Sequence, residues 1–329
     1  MLTRALAILT LWATTLTYPC HSKPVQVGLV LDKGGKDDKS FNASAFKGAT
    51  EAKKLPGVTV KVVESSDEVS LEPNLRTFAQ KGYDLVIGIG FVQQAPLKKV
   101  AASFPKTHFL LVDAVVDLPN VRSVVFDEHE GSFLVGAIAA LSSKTGKVGF
   151  VGGMDIPLIR RFELGYRSGA LAVKPTVVVA SNYVGSGSDA WKNPTKAKEL
   201  ALSQYRGGAD VIFQAAGASG LGVFDAAEET KLLAIGTDSN QDWIKPGRVL
   251  TSMIKRVDLA VLGTIELETS GKFEGGTVSM GLKDRGIDFS VDEFNRSLLT
   301  PAIEKKANEL RDQIIQKKIE VPDYYKKHK

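Results

Sequence analysis

Short runs of β-branched and other apolar residues alternate with helix-length patterns along almost the whole chain. The first three runs are Val25 to Leu31, Val58 to Val63 and Leu85 to Ile89, and helical patterns over Ala43 to Lys54 and Leu71 to Lys81 separate them. Strands joined by crossover helices pair in parallel, because each helix returns the chain to the same end of the sheet. The alternation therefore predicts an α/β fold of doubly wound parallel sheets.

The same alternation continues through most of the chain and bears on the number of lobes. The chain has 329 residues, and removal of a leader leaves about 300, more than one hydrophobic core usually organises, so two lobes are expected. The remaining predicted strands are His108 to Val112, Val121 to Phe126, Lys147 to Val151, Thr176 to Ala180, Val211 to Gln214, Leu232 to Gly236 and Val249 to Met253. The remaining predicted helices are Ser132 to Ser142, Ile159 to Val173, Pro194 to Tyr205, Gly222 to Thr230, Val257 to Glu268 and Glu304 to Lys318. Gly271 to Asp288 is rich in glycine and turn signals.

The first 20 residues have the layout of a signal peptide. Arg4 precedes an apolar run from Ala5 to Leu16, which is shorter than the roughly 20 residues of a membrane-spanning helix. The only cysteine, Cys20, follows where bacterial lipoproteins carry their lipidated cysteine, although Tyr18 and Pro19 differ from the small residues common there. An ordinary cleaved leader is the alternative. We therefore expect export to the periplasm or cell membrane, with membrane attachment only through a lipid on Cys20.

Composition and missing motifs exclude several classes of protein. The net charge is only +5 and the basic residues are spread along the chain, except in a basic tail at 321–329, so no nucleic-acid partner is predicted. The four histidines lie far apart, and no metal-binding, phosphate-loop or nucleophile-elbow motif occurs. We therefore predict no metal, no cofactor and no catalytic residues, which favours a binding protein over an enzyme.

Candidate binding residues follow the predicted strands. Ligands of open α/β sheets bind beyond the carboxyl ends of the strands, where loops and helix N-termini present hydrogen-bond donors. Asp113, Gly217 and Asp238 stand at such strand ends, and Lys255 follows the last predicted strand. We expect these four residues to lie near one another at the ligand-binding edge of the sheets.

The loop after the first predicted strand is the most informative segment. Asp32 to Gly48 reads DKGGKDDKSFNASAFKG, a glycine turn and a polar stretch before a helix that Ser40 or Asn42 can cap. Phe41 lies in the loop between these two polar residues, with no neighbouring apolar run to pack against. It is either a staple on the helix that follows or a side chain that contacts a ligand.

Seven short segments form a series whose order and spacing resemble the basic membrane protein family of bacterial lipoproteins, which includes nucleoside-binding proteins of ABC transporters. They are DKSFN at Asp38 to Asn42, FLLVDA at Phe109 to Ala114, EGSFLVGAIAA at Glu130 to Ala140, KVGFVGGMDIPLIRRFELGYRSG at Lys147 to Gly169, AAGASGLG at Ala215 to Gly222, IGTDSNQ at Ile235 to Gln241 and SMIKRVD at Ser252 to Asp258. The resemblance covers essentially the whole chain after the leader. It implies a fold like that of type I periplasmic binding proteins, with two doubly wound parallel-sheet lobes joined by a three-stranded hinge. The expected N-terminal lobe is 24–126 with about 257–285, and the expected C-terminal lobe is 127–256 with about 286–320.

The resemblance also implies a ligand and a partner. The implied ligand is a purine nucleoside such as inosine, guanosine or adenosine, and the implied partner of the monomeric protein is the permease of an ABC transporter. Phe41 and Phe162 are expected to sandwich the base as the lobes close, since aromatic stacking contributes about 1 to 3 kcal/mol per base. Asp238 is expected to accept hydrogen bonds from the ribose hydroxyls, and Lys255 to donate to the ribose oxygens.

Four further contacts are expected under the same resemblance. Asp38, Asn42 and Asp113 are expected to read the base edge or the sugar. The backbone amide of Gly217 is expected to approach the ligand closely because glycine leaves room for it. Ala218 and Ser219 occupy places where glycine and then threonine or serine are expected in relatives, and the departure puts the contacts of this loop in doubt.

Three alternatives stay open on the sequence. A sugar-binding protein of the same fold would use cleft tryptophans, for which Trp191 and Trp243 are candidates. A surface-exposed sensory or antigenic lipoprotein would have the basic tail as its sequence hint. A nucleoside-cleaving enzyme is disfavoured because no set of acid, base and nucleophile is visible.

Overall fold

The computed structural model describes residues 24–327, so the predicted leader with Cys20 lies outside the described residues. The strands are β1 (Val25–Leu31), β2 (Val58–Glu64), β3 (Leu85–Ile89), β4 (His108–Val112), β5 (Val121–Phe126), β6 (Lys147–Met154), β7 (Val178–Gly185), β8 (Val211–Ala215), β9 (Leu233–Asp238), β10 (Val249–Lys255), β11 (Gly276–Met280) and β12 (Ile287–Phe289). The helices are α1 (Phe41–Ala52), α2 (Leu71–Gln80), α3 (Gln94–Ser103), α4 (Glu128–Ser142), α5 (Pro157–Val173), α6 (Pro194–Arg206), α7 (Gly220–Thr230), α8 (Val257–Thr269), α9 (Pro301–Ile315) and α10 (Tyr324–Lys327).

The strands form two six-stranded sheets with one sheet in each lobe. The first has the order β11-β5-β4-β3-β1-β2, and the second has the order β12-β10-β9-β8-β6-β7. All pairs are parallel except β10 with β12, which is antiparallel. The predicted fold class, two doubly wound parallel-sheet lobes, is confirmed.

Helices cover both faces of each sheet, which explains the nearly continuous apolar runs of the strands. In the first sheet, Leu29 packs in one core with residues of α1 and α8, whereas the next residue, Val30, packs in a second core with α2 and α3. Every residue of β3 and β8 is buried. The strands therefore lie between two helix layers in each lobe, and the loops that follow their carboxyl ends form the site.

Three chain crossings connect the lobes. The chain passes from β5 to α4 at Asp127, from β10 to α8 at Arg256, and from β11 to β12 through 281–286. Backbone hydrogen bonds join the crossings to one another. The amide of Asp127 donates to the carbonyl of Met280 at 3.1 Å, and the amide of Arg256 donates to the carbonyl of Gly286 at 2.8 Å. This arrangement is the expected three-stranded hinge. We retain the predicted lobe boundaries as a proposal.

Helices α4 and α5 pack closely because glycines stand in their contact. A Cβ on Gly136 would lie 2.0 Å from the carbonyl oxygen of Tyr166, and one on Gly169 would lie 1.8 Å from that of Phe133. Such distances exclude any side chain at these two positions. The close contact holds the first residue of α4, Glu128, beside α5, which has consequences for the site.

The structure differs from the predicted elements at several points. Helix α1 begins at Phe41, so this residue lies in the first helical turn and not in the loop. Helix α3 was not expected; its Pro96 lies in the first turn, where the backbone amides have no intrahelical partner. The glycine-rich segment contains β11 and β12, short strands whose pairing with β5 and β10 depends on residues far away in the sequence. Between residues 24 and 327 no helix combines the length and hydropathy that crossing a membrane requires.

A candidate ligand-binding cleft between the lobes

A cavity of about 590 Å³, counted with its open mouth, lies between the lobes beyond the carboxyl ends of the strands. All eight residues predicted from the sequence line it: Asp38, Phe41, Asn42, Asp113, Phe162, Gly217, Asp238 and Lys255. The structure therefore brings the whole predicted set together, and contact of each residue with a ligand stays a prediction.

Asp38 and Asn42 form a hydrogen-bonded corner at the start of α1. The carboxylate of Asp38 accepts from the amides of Ser40, Asn42 and Ala43 at 2.8 to 2.9 Å. The side-chain amide of Asn42 donates to Asp38 at 3.0 Å and to Asp32 at 2.8 Å. Asp38 thus caps the helix in place of Ser40 or Asn42, and a carboxylate suits the positive end of the helix dipole. These bonds fix the corner and hold the next side chain, Phe41, at the cavity.

Two phenylalanines from opposite lobes reach the cavity. Phe41 is partly buried on α1, and Phe162 is 3% exposed on α5. The ammonium of Lys255 lies 5.2 Å from the ring centre of Phe41 and 5.6 Å from that of Phe162. The two rings therefore face the same volume, with one cation near both, at distances typical of cation–π contacts.

Lys255, the last residue of β10, is 1% exposed and lies at the hinge. Its ammonium donates to Asp113 at 2.7 Å and to Glu128 at 3.0 Å. Burial lowers the pKa of Lys255, but the neighbouring carboxylates outweigh this effect and raise that pKa above its ordinary value. The lysine is therefore held as a cation inside the cleft.

Asp113 lines the cavity and has one carboxylate oxygen without a hydrogen-bond partner among residues 24–327. Its side chain is 6% exposed, its backbone has a φ of +71°, and its Oδ2 accepts from Lys255. Its Oδ1 is buried without a hydrogen-bond partner among residues 24–327. Burial raises the pKa of Asp113 to about 6, although Lys255 opposes the shift. A buried acceptor without a partner costs about 1 to 3 kcal/mol, which a ligand donor would recover.

Asp238 brings a second carboxylate from the other lobe. It ends β9 with a φ of +66°, is 7% exposed, and accepts from the Ser40 hydroxyl of the first lobe at 2.6 Å. The amide side chain of Gln241 donates across the same boundary to the carbonyl of Lys39 at 2.9 Å. Burial raises the pKa of Asp238 to about 7, although the charge of Lys255 and the Ser40 hydrogen bond lower it. The lobes are thus in direct contact beside this carboxylate.

Two glycines let the backbone border the cavity. Gly90 has a φ of +102° and Gly217 has a φ of +56°, a region that other residues avoid. Trp191 packs over the backbone of Gly153, where a Cβ would lie 2.3 Å from the indole ring. The indole also borders the cavity near Gly217.

Two charged residues of the site were not among the predicted contacts. Asp32 lines the cavity, and Glu128 accepts a hydrogen bond from Lys255. Trp191, named from the sequence only for the sugar-binding alternative, also lines the cavity. Asp32 directly follows β1, so the rule that ligands bind beyond strand ends could have found it. Glu128 opens an apolar helix, and its partnership with Lys255 joins residues 127 positions apart.

The chemistry of the cleft favours binding. It combines two aromatic faces, several carboxylate acceptors, one cation and an apolar wall. Within the described part of the chain, no group of three or more His, Cys, Asp or Glu side chains is placed to hold a metal ion. The cleft therefore fits a neutral, flat ligand that carries several hydrogen-bond donors.

Comparisons with known proteins give a consistent result. The model of a family described as ABC transporter substrate-binding protein PnrA-like matches residues 25–324. The chain is 36% identical over 321 residues to the ABC transporter nucleoside-binding protein BmpA of Lactococcus lactis subsp. cremoris, covering 91% of this chain and 89% of that protein. It is 33% identical over 306 residues to basic membrane protein A of Borreliella afzelii, covering 90% of this chain and 91% of that protein.

A solved structure has the same fold. An ABC transporter solute-binding protein from Aeropyrum pernix superposes with a TM-score of 0.83 at 31% sequence identity, over 91% of this chain and 94% of that chain. The likeness includes both lobes, since it covers nearly the full length of each chain.

Proposed function

Because the chain belongs to the family of PnrA-like ABC transporter substrate-binding proteins, we propose that it captures purine nucleosides between its lobes and delivers them to a membrane permease. The observation that carries this proposal is the convergence of Phe41 and Phe162, from opposite lobes, on one cavity. A purine has two flat faces, and closing lobes with one phenylalanine each suit both. The nucleoside-binding name of the Lactococcus relative supports the same ligand class.

The proposed ribose contacts use the buried carboxylates. Vicinal hydroxyls are donors that a carboxylate accepts with charge-assisted strength. Asp113 lines the cavity and its Oδ1 has no hydrogen-bond partner among residues 24–327, so we propose this oxygen as one acceptor; Asp238 stands on the other side of the cleft. Lys255 keeps the local charge balanced and offers its remaining proton to a ribose oxygen.

The proposed action is binding without chemistry. Hinge closure would bury the nucleoside, and the closed form would present both lobes to the permease. We propose that the protein works as a monomer in the periplasm or at the cell membrane, attached through a lipid on Cys20.

A sugar ligand is the second candidate, and Trp191 is the observation that favours it. An indole that lines the cavity is a surface on which a sugar ring packs. The two candidates differ in what a free ribose does: a sugar site binds it tightly, whereas a nucleoside site loses the stacking energy of the base.

Calorimetric titration of the mature protein tests the proposal. The ligands are inosine, guanosine, adenosine, cytidine, ribose and the free bases. Purine nucleosides are expected to bind with dissociation constants below about 1 µM, and ribose much more weakly. Tight ribose binding without nucleoside binding would establish the sugar candidate, and release of free base during incubation would establish an enzyme. No binding by any of these ligands would favour the antigenic or sensory alternative.

A further inference from the structure

The C-terminal segment 321–327, here named the C-terminal clip, is anchored in the C-terminal lobe. Asp323 is 8% exposed and forms a two-point ion pair with Arg161 of α5, at 2.8 Å to Nε and 3.0 Å to Nη2. The amide of Tyr325 donates to the same carboxylate at 3.0 Å, and the Tyr325 ring centre lies 5.0 Å from the guanidinium. Lys326 and Lys327 are exposed. The segment expected as a basic tail thus has a buried, charged anchor.

Arg161 also binds the hinge. Its Nη1 donates to Glu128 at 2.6 Å and to the backbone carbonyl of Phe126, and its Nη2 donates to Asp127 at 3.1 Å. Phe126, Asp127 and Glu128 are the first hinge crossing. One buried guanidinium therefore joins the C-terminal clip to the crossing between the lobes.

Glu128 carries the connection into the ligand cleft. One of its oxygens accepts from Arg161, and the other accepts from the ammonium of Lys255 at 3.0 Å. Lys255 in turn donates to Asp113, which lines the cavity and whose second oxygen has no hydrogen-bond partner among the described residues. Opposite charges therefore alternate without a gap from the C-terminal clip to the cleft, in the order Asp323, Arg161, Glu128, Lys255 and Asp113.

We propose that Arg161 and Asp323 are positioning residues for the ligand site, a role that rests on the proposed capture of nucleosides in this cleft. Asp323 occupies Nε and Nη2 of Arg161, so that Glu128 shares the guanidinium with a second carboxylate. This sharing leaves Glu128 bound to Arg161 through one oxygen. The remaining Glu128 oxygen holds Lys255, and Lys255 sets the position of the Asp113 acceptor. Loss of the Asp323 charge would draw Glu128 toward Arg161 and away from Lys255, because a buried cation left without its partner is costly.

The first experiment replaces Asp323 by asparagine in the full chain. Asp323→Asn keeps the size and one acceptor but removes the charge. We expect inosine to bind about tenfold more weakly or worse, by calorimetry at a temperature where circular dichroism finds the variant fully folded. The matched control is Lys326→Ala in the same segment, where an exposed ion pair with Glu320 at 3.5 Å is lost; its affinity is expected to stay within about twofold.

A double variant separates positioning from a merely structural role. If the effect passes through Glu128, Asp323→Asn should add less than about twofold to the dissociation constant in a Glu128→Gln background. Independent, multiplicative effects would overturn the proposal, as would unchanged inosine affinity in Asp323→Asn. Should that variant fail to fold, Arg161→Lys tests the same step, because lysine keeps the charge but cannot bridge both carboxylates.

A readout without ligand keeps this test apart from that of the proposed function. Carbon NMR measures the pKa of the Asp113 carboxyl without ligand. We expect this pKa to change in Asp323→Asn and to match wild type in Lys326→Ala. If wild type binds no nucleoside but Asp113 still responds to Asp323, the proposed function fails and the charge connection stands. An Asp113 titration that ignores Asp323 overturns the connection itself.

Discussion

The two lobes present different chemistry to the cleft. The N-terminal wall consists largely of hydrogen-bonding groups, with Asp32, Asp38, Asn42 and Asp113 around the ring of Phe41. The C-terminal wall is mainly apolar, formed by Leu158, Ile159, Phe162, Trp191 and Ala215, with Asp238 and Lys255 as its charged groups. Part of the polar wall is fixed by its own hydrogen bonds, since Asn42 donates to Asp32 and Asp38 and the amide of Ala43 donates to Asp38.

This difference suggests a division of labour during capture. Polar groups with fixed directions select the orientation of a ligand, whereas apolar surface gains free energy when closure removes it from water. The N-terminal wall would therefore decide which ligand docks, and the C-terminal wall would decide how tightly the closed form holds it. Variants on the two walls should differ in what they change.

The largest effect is expected on the polar wall. Asp113→Asn removes the charge that both Lys255 and the proposed ligand donor use, and hydrogen bonds to charged groups are worth about 1.5 to 3 kcal/mol. We expect inosine affinity to fall about a hundredfold by calorimetry. Asp117→Asn, at an exposed position on the loop that follows, is the control and should leave affinity unchanged. Equal inosine affinity in Asp113→Asn and wild type would contradict the idea that the N-terminal wall selects the ligand.

The aromatic pair should show a smaller effect shared by both walls. Phe41→Leu and Phe162→Leu keep apolar volume but remove the π-face, so purine nucleosides are expected to bind about tenfold more weakly in each. Ribose affinity should not change, because ribose has no aromatic base to stack between the phenylalanines. Phe294→Leu, an exposed phenylalanine, is the control. A loss confined to one of the two variants would replace the sandwich by a one-sided contact.

The effect of pH on inosine affinity should be smaller still, and it should reflect the ionisation of Asp238 and Asp113. Burial raises the pKa of Asp238 to about 7 and that of Asp113 to about 6, so protons neutralise these acceptors as the pH falls. Inosine affinity is expected to drop several-fold between about pH 8 and pH 5. Calorimetry across this range checks it, and a flat profile would contradict a role for ionised carboxylates.

The contribution of Asp238 to the stability of the unliganded protein should change with pH in the opposite direction to inosine affinity, falling as the pH rises. The folded protein holds the Asp238 proton more tightly than the unfolded chain does, so this residue costs stability as the pH rises through about 4 to 7. Asp238→Asn should therefore raise the Tm of the unliganded protein relative to wild type at about pH 8, with little difference at about pH 4. A Tm difference that does not vary with pH would refute the shifted pKa.

The sequence was sufficient for the architecture and for eight residues that line the cleft. Alternating strand and helix patterns predict parallel sheets, and parallel sheets place the residues after their strands at one edge, which is how Asp113, Gly217 and Asp238 were found. The family resemblance selected Phe41 and Phe162. Each of these inferences depends on local pattern or on order along the chain.

The parts that escaped prediction depend on pairing across long sequence distances. Glu128 meets Lys255 because a hinge crossing brings α4 against the end of β10, and Asp323 meets Arg161 over 162 positions. Asp38 and Asn42 were expected to read the ligand, yet most of their hydrogen bonds hold the loop. A polar residue near a site has the same sequence signal whether it binds a ligand or supports one that does.

A crystal structure of the mature protein with inosine tests the central claim most directly. The base is expected between the rings of Phe41 and Phe162, with a ribose hydroxyl donating to Asp113 Oδ1 and another donating to Asp238. Inosine bound outside the cleft, or inside it with its base touching neither phenylalanine, would contradict the account.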